Sequence, residues 1–323
     1  MKIAITMGDA SGVGPELLLR AFDRNELTSP FVAFGDLAAL EFAKETLGYS
    51  TPLHGIKLDE EPVPGVLNVI DLGLLTKAMI QPGKIVKEAG DAAVKYVEMA
   101  TRAALDKKVD AICTLPINKE SSGLSHPDFQ GHTELIAGIC GITNYTMMLV
   151  APKLIATHVS THVSLQEAIR RVKKDRILNV ARLTSNAVKL IRPQARIAIA
   201  ALNPHAGENR KFGNEDLDEI APAVAAARAE GIDAYGPVPA DTLFMKALAG
   251  QYDAVVCMYH DQGHIPLKMI AFHEGVNTTI GLPIIRTSVD HGTAFDIAYK
   301  GIASTENLIA AFNLAVTMAG NRK

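Results

Sequence analysis

Apolar positions along the chain follow two different periods. Short runs rich in β-branched residues predict strands: "KIAITM" from residue 2, "FVAFG" from 31, "VDAICTL" from 109, "KLIATHVS" from 153, "RIAIAAL" from 196 and "DAVVCMY" from 253. Longer segments such as "DAAVKYVEMATRAAL" and "LDEIAPAVAAARAE" carry apolar residues at i, i+3, i+4 and i+7 and predict helices. Strands alternating with helices predict a parallel α/β sheet. Pro15, ahead of "ELLLR", suits the first helical position, with "GDASGVG" as the loop before it. Such a loop can offer backbone N–H groups to an anion, and it can equally serve plain turn geometry; it is not a GxGxxG fingerprint.

No repeat, low-complexity linker or charge block interrupts the pattern, so any lobe boundary falls in ordinary loops. At 323 residues, 48% of them hydrophobic, the chain can bury a large core, and two lobes are expected. The net charge is −3, from 32 basic and 35 acidic residues spread along the chain, which argues against a nucleic-acid partner. Cys113, Cys140 and Cys257 are odd in number and lack CxxC spacing, so reduced core thiols are expected. "MKIAITMGD" has too short an apolar run for a signal peptide or a spanning helix. A cytoplasmic protein without membrane contact is the resulting expectation.

Candidate chemistry gathers where the strands end. His162, His205 and His260 each follow a predicted strand, and in open α/β sheets the ligand crevice lies outside the carboxyl ends of the strands. Three imidazoles meeting there would suit zinc or another divalent first-row ion; each alone could equally be a hydrogen-bonded loop histidine. His158, four residues before His162, points deeper and favours a packing role. "QGHTEL" sets His132 and Thr133 at a helix start, where they could hold an anion or cap the helix. "LPINKE" places Lys119 just past a strand. Lys268, Asn277 and Arg286 follow His260, with "LPIIRTS" expected to be a strand that ends by presenting the arginine, a partner for carboxylate or phosphate.

"GHTE", "LNPHAGE", "PADTLF", "YHDQG" and "GLPIIRTSVDHGTA" together resemble the 4-hydroxythreonine-4-phosphate dehydrogenase family and its sugar-acid-phosphate relatives, in order and spacing over nearly the whole chain. The resemblance implies a two-lobed α/β/α fold similar to isocitrate and isopropylmalate dehydrogenases, with the active site in the cleft between the lobes. Residues 1–130 and 265–323 would form the cofactor-side lobe and 131–264 the metal and dimer-interface lobe. It implies a divalent metal on His162, His205 and His260, with zinc first and magnesium, manganese or cobalt as alternatives. These ligands would be shared across a homodimer interface, with Asp261 and Gln262 orienting the histidine. It further implies substrate contacts from His132, Thr133, Lys268, Asn277 and Arg286. "HGTAFDIAYKGIAS" looks like the adenosine-binding loop of isopropylmalate and isocitrate dehydrogenases, which makes His291, Gly292, Asp296 and Ile297 the cofactor-binding positions. The Asp-Ile pair resembles the NAD-preferring form, because a carboxylate accepts ribose hydroxyls and repels a 2′-phosphate.

The implied reaction is metal-assisted, NAD-dependent oxidation of the C3 hydroxyl of a 4-phosphorylated four-carbon hydroxy acid, followed by β-decarboxylation. "LPINKE" and "HDQGHIP", with His264, look more like the catabolic relatives, and favour 4-phospho-D-threonate or 4-phospho-D-erythronate, giving dihydroxyacetone phosphate. The alternative is 4-hydroxy-L-threonine 4-phosphate, the substrate of pyridoxine biosynthesis. Lys119 and Asp241 are both candidate general bases. A metal-dependent hydrolase or aldolase would have no use for the "HGTAFDIA" loop, and a purely structural metal would leave no turnover to abolish.

Overall fold

The computed structural model of the chain describes residues 1–271 and 274–322. Among these the strands are β1 (Ile3–Thr6), β2 (Phe31–Gly35), β3 (Leu53–Ile56), β4 (Leu67–Asp71), β5 (Ala111–Thr114), β6 (Thr146–Val150), β7 (Ile155–His158), β8 (Ile197–Ala200), β9 (Ala234–Val238), β10 (Ala254–Cys257), β11 (Val276–Ile280) and β12 (Arg286–Ser288). All six runs read as strands from the sequence contain one.

The chain folds as two compact units, one of Met1–Thr143 with Leu282–Asn321 and the other of Asn144–Gly281. The breaks therefore lie beyond the expected 130/131 and 264/265. Helix His132–Ile139 packs on helix Lys87–Leu105 and so stays with the first unit. The stretch up to Gly281 stays with the second, because β11 pairs with β6.

In the first unit the strand order is β3-β4-β2-β1-β5-β12, and every pairing is parallel. β1, β2 and β5 are almost wholly buried apolar runs, as strands covered on both faces must be. Phe31 meets Phe22 and Phe312 edge to face, fixing the helices at either end of this unit against one strand.

In the second unit the order is β11-β6-β7-β10-β8-β9. Here the expectation of a parallel sheet holds only in part. β7, β10, β8 and β9 are parallel, whereas β6 runs antiparallel to both β7 and β11. The cause is local: Ala151 and Leu154 exchange backbone hydrogen bonds across two residues, and so short a connection only joins antiparallel strands. Leu149, Ala156, Ala198, Val255, Cys257, Leu243 and Leu267 form the core. No helix of the described residues is long and apolar enough to cross a membrane.

Candidate active site

In the first unit the chemistry lies past the carboxyl ends of β1 and β5 and on β12. Arg286 is the first residue of β12, not the last as the sequence suggested, and its side chain is buried, with Nη2 donating to the Thr114 hydroxyl at 2.9 Å. Burial lowers its guanidinium to about 10, while Cys113 and Glu134 act in the opposite direction. His132 lies in the first turn of helix His132–Ile139, whose start has no side-chain cap, so the capping role open to "HTE" is not taken. Its Nε2 is sealed from solvent and makes no hydrogen bond. Burial, helped by the charge of Arg286, drives the imidazole down to about 3, although the Leu115 backbone is close enough to favour the charged form. His132 is therefore a neutral ring with one nitrogen unspent. The side chains of Lys119 and Glu134 both flank Gly131, directly before it. Arg286, His132, Lys119 and Glu134 thus share one neighbourhood. Thr133 stands beside His132 in the same turn.

The β1 loop braces the segment expected to hold the cofactor. The Val13 N–H donates to the Thr293 carbonyl at 3.0 Å, and the Tyr299 hydroxyl to the Ala10 carbonyl at 2.6 Å. A Cβ on Gly12 would stand 2.9 Å from the Thr293 oxygen, so a glycine is required there by close backbone approach. Pro15 sits in the first turn of helix Gly14–Asp23 as expected. The buried Glu16 carboxylate accepts from the N–H groups of Gly301 and Ala303. On this frame His291, Gly292 and Asp296 are exposed, and Ile297 is half-buried with its N–H on the Ala294 carbonyl.

In the second unit, helix His260–Ala271 starts just past β10. His260 Nδ1 lies 2.6 Å from Asp261 Oδ1, which leaves Nε2 as the free lone pair, the arrangement of a carboxylate-oriented metal ligand. Gln262 ties two strand ends together: its Oε1 accepts from the Met258 N–H and its Nε2 donates to the Ala201 carbonyl, both at 2.7 Å. His162 and His260 line one pocket of about 490 Å³ with Thr161, Tyr259 and Asp261, their rings 5.8 Å apart.

His205 does not join them. It sits in a left-handed turn, φ 53° and ψ 31°, with its exposed ring 6.3 Å from Phe212. Among the described residues no group of three or more His, Cys, Asp or Glu side chains is placed to hold a metal ion. The expected three-histidine set is therefore assembled within one chain only as far as His162 and His260. The donors present do suit a metal, being imidazoles with one oriented by a carboxylate.

Two neighbours of this pair were not read as site residues. His264 is buried and stacks on His260 with ring centroids 3.6 Å apart. Its Nδ1 donates to the His260 carbonyl, and burial together with His260 lowers it to about 4. The i, i+4 spacing of His260 and His264 is the sequence signal for this contact, since it puts both rings on one face of a helix. His158 is fully buried, as a packing residue would be. Yet neither ring nitrogen reaches a partner, although the Met147 backbone is close enough to favour the charged form, and burial takes the ring down to about 3. Its ring lies 4.7 Å from that of His264. Gly263 is where the ring fits: a Cβ there would be 2.5 Å from His158 Nε2.

Lys268 is exposed on the same helix, with its charge felt at His264. Asn277 is half-buried in β11, its Oδ1 without a hydrogen-bond partner. Asp241 is exposed in the first turn of helix Ala240–Leu248 and is not among the residues lining the histidine pocket.

The family model described as pyridoxal phosphate biosynthetic protein PdxA matches residues 26–315. The chain belongs to this family. It is 43% identical to D-threonate 4-phosphate dehydrogenase of Salmonella typhimurium, covering 98% of each chain. It is 45% identical to 4-hydroxythreonine-4-phosphate dehydrogenase of Geobacter metallireducens, covering 98% of this chain and 95% of that one. Among solved structures, 4-hydroxythreonine-4-phosphate dehydrogenase of Klebsiella pneumoniae superposes with a TM-score of 0.90 at 42% identity, covering 98% and 99% of the two chains. This PdxA-family protein is a dehydrogenase, as the sequence resemblance implied. A β-decarboxylating dehydrogenase of Thermococcus kodakarensis, 13% identical with a TM-score of 0.51, shares the fold alone.

Proposed function

We propose that this protein is a cytoplasmic, NAD-dependent and divalent-metal-dependent dehydrogenase that oxidises the C3 hydroxyl of a 4-phosphorylated four-carbon hydroxy acid and releases the adjacent carboxylate as carbon dioxide. The observation that carries this reading is the cluster of buried Arg286, half-buried His132 and exposed Lys119 in the first unit, in a chain matched end to end by dehydrogenases of phosphorylated four-carbon acids.

When bound, the divalent ion supplies Lewis acidity that favours ionisation of a substrate hydroxyl, and NAD supplies the hydride acceptor. The residues of the chain do the rest. Arg286 and Lys119 bind the anionic ends of the substrate, and Thr133, Lys268 and Asn277 add polar contacts. A neutral His132, whose Nε2 has no partner in the protein, offers that nitrogen to a substrate hydroxyl as an acceptor. Asp261 holds His260 with Nε2 available, so that His260, with His162 beside it, would hold the ion. His205 would serve the same ion from a second copy of the chain, which accords with its exposure. A homodimer would also cover the apolar side chains of Ile265, Met269 and Met245, the second of which is 80% exposed. Asp296, exposed on a braced loop, accepts ribose hydroxyls alongside His291, Gly292 and Ile297, and disfavours a 2′-phosphate. Lys119 is better placed than Asp241 for proton transfer, since it stands beside Gly131 and its charge is felt at His132.

The favoured substrates are 4-phospho-D-threonate and 4-phospho-D-erythronate, in sugar-acid catabolism. His264, stacked on His260, is the feature that favours them. The second reading, 4-hydroxy-L-threonine 4-phosphate in pyridoxine synthesis, is supported by the similar identity to the Geobacter enzyme. NADH formation by purified protein with added divalent metal, compared across the three substrates at equal concentration, decides between them. Faster turnover of a sugar acid, with dihydroxyacetone phosphate as product, supports the first. Preference for the amino acid supports the second, and no NADH from any of them overturns both.

A further inference from the structure

Asp9 is fully buried in the loop after β1 and has no role in the chemistry described above. Its Oδ1 accepts the Ser11 N–H at 2.8 Å, while its Oδ2 is sealed from solvent and makes no hydrogen bond. The Ser121 hydroxyl and the Asn118 backbone N–H also face the carboxyl group, close enough to favour its ionised form, though neither reaches Oδ2 at hydrogen-bonding geometry. The two sides of this carboxyl group serve different segments. Ser11 belongs to the loop that carries Ala10 and Val13, which bond to Tyr299 and Thr293 of the cofactor segment. Ser121 and Asn118 belong to the start of helix Lys119–Gly123, where the Asn118 side chain accepts the Ser121 N–H at 2.8 Å. The carboxyl is thus bonded by one donor and faced by two more, the Ser121 hydroxyl itself having no hydrogen-bond partner, and no cation meets it. Burial is the main reason it is pushed up to about 6, so the fold keeps it there at a cost in stability.

We propose that Asp9 is a positioning residue for the dehydrogenase reaction: one side of its carboxyl group sets the β1 loop against the cofactor segment, and the other sets the helix start that carries Lys119. This rests on the NAD-dependent reading of the site. An asparagine at this position keeps an acceptor for the Ser11 N–H but turns an amide donor toward two other donors, so the two functions separate.

The test measures NAD binding by calorimetry, without substrate, beside steady-state turnover, for wild type, Asp9→Ala, Asp9→Asn and Ser121→Ala. Asp9→Ala is expected to weaken NAD binding about tenfold, the scale of one hydrogen bond to a charged group, and to lower kcat about as much through the displaced helix start. Asp9→Asn should bind NAD within about threefold of wild type and still lose kcat, and Ser121→Ala should lose part of kcat with no change in NAD binding. Should Asp9→Ala fail to fold, the other two variants still decide. Equal losses of NAD binding in Asp9→Asn and Ser121→Ala, or unchanged NAD binding and kcat in all variants, overturn the proposal for Asp9 alone. A wild-type protein that binds no NAD overturns it together with the NAD-dependent reading.

Discussion

Two polar regions of this protein are built at strand ends by opposite electrostatic means. In the first unit, cationic side chains dominate: Arg286 is buried beside Thr114, Lys119 stands at a helix start, and His132 is held neutral by burial and by the arginine charge. In the second, imidazoles gather, with His260, His264 and His158 in ring contact and His162 beside His260, and burial holds His158 and His264 neutral. A surplus of fixed positive charge suits an anion, whereas neutral imidazoles with free lone pairs suit a cation. The same placement in the fold therefore yields two ligand preferences, decided by how each histidine is kept from charging.

The contrast breaks most severely at His260. His260→Ala should remove bound metal and lower turnover by on the order of a thousandfold, because several kcal/mol of charge stabilisation leaves with the ion. Elemental analysis beside the NADH assay checks both, and full activity without metal would end the cation-site reading. On the anion side, Arg286→Met should raise KM for the phosphorylated substrate about 10- to 100-fold, the worth of a charge-assisted hydrogen bond, while metal content stays unchanged.

Acid stability sharpens the comparison within the first unit. His132 is lowered from 6.5 to about 3 by folding, so its contribution is fully present above pH 6.5 and is lost as pH falls from there toward 3. Asp9, raised from 3.8 to about 6, contributes below 3.8 and loses that contribution as pH rises through 6. Denaturant melts between pH 3 and 7 should show a shallower acid limb for His132→Asn than for wild type. An identical limb would mean that His132 is not held neutral.

Packing in the second unit is tested by Gly263→Ala. A Cβ there meets His158 Nε2 at 2.5 Å and Cys257 Sγ at 2.9 Å, so stability should fall by about 1–3 kcal/mol, read from thermal or denaturant unfolding. The smallest effect is expected at the surface. Asp296→Ala should raise KM for NAD about five- to tenfold, through loss of roughly 1 kcal/mol of hydrogen bonding, with little change in KM for substrate and a relaxed preference against NADP.

By itself the sequence determined β1, β2, β5, β7, β8, β10 and β12, the helix that begins near Pro15, and the family, since these rest on periods and motifs that survive any packing arrangement. It also placed His162, His205 and His260 after strand ends. Tertiary structure decided which of those residues meet. His205 follows β8 in the sequence much as His260 follows β10, yet a left-handed turn carries it to Phe212 and away from the pair. His158 and His264 became part of the histidine group only because the segment after β10 is a helix, which puts His264 one turn from His260, and because Gly263 leaves room for a buried ring. The antiparallel β6 came from a two-residue connection, and the buried state of Arg286 from its place in β12 beside β5. Burial, ring contact and the protonation they impose arise between segments distant along the chain, so no local pattern encodes them.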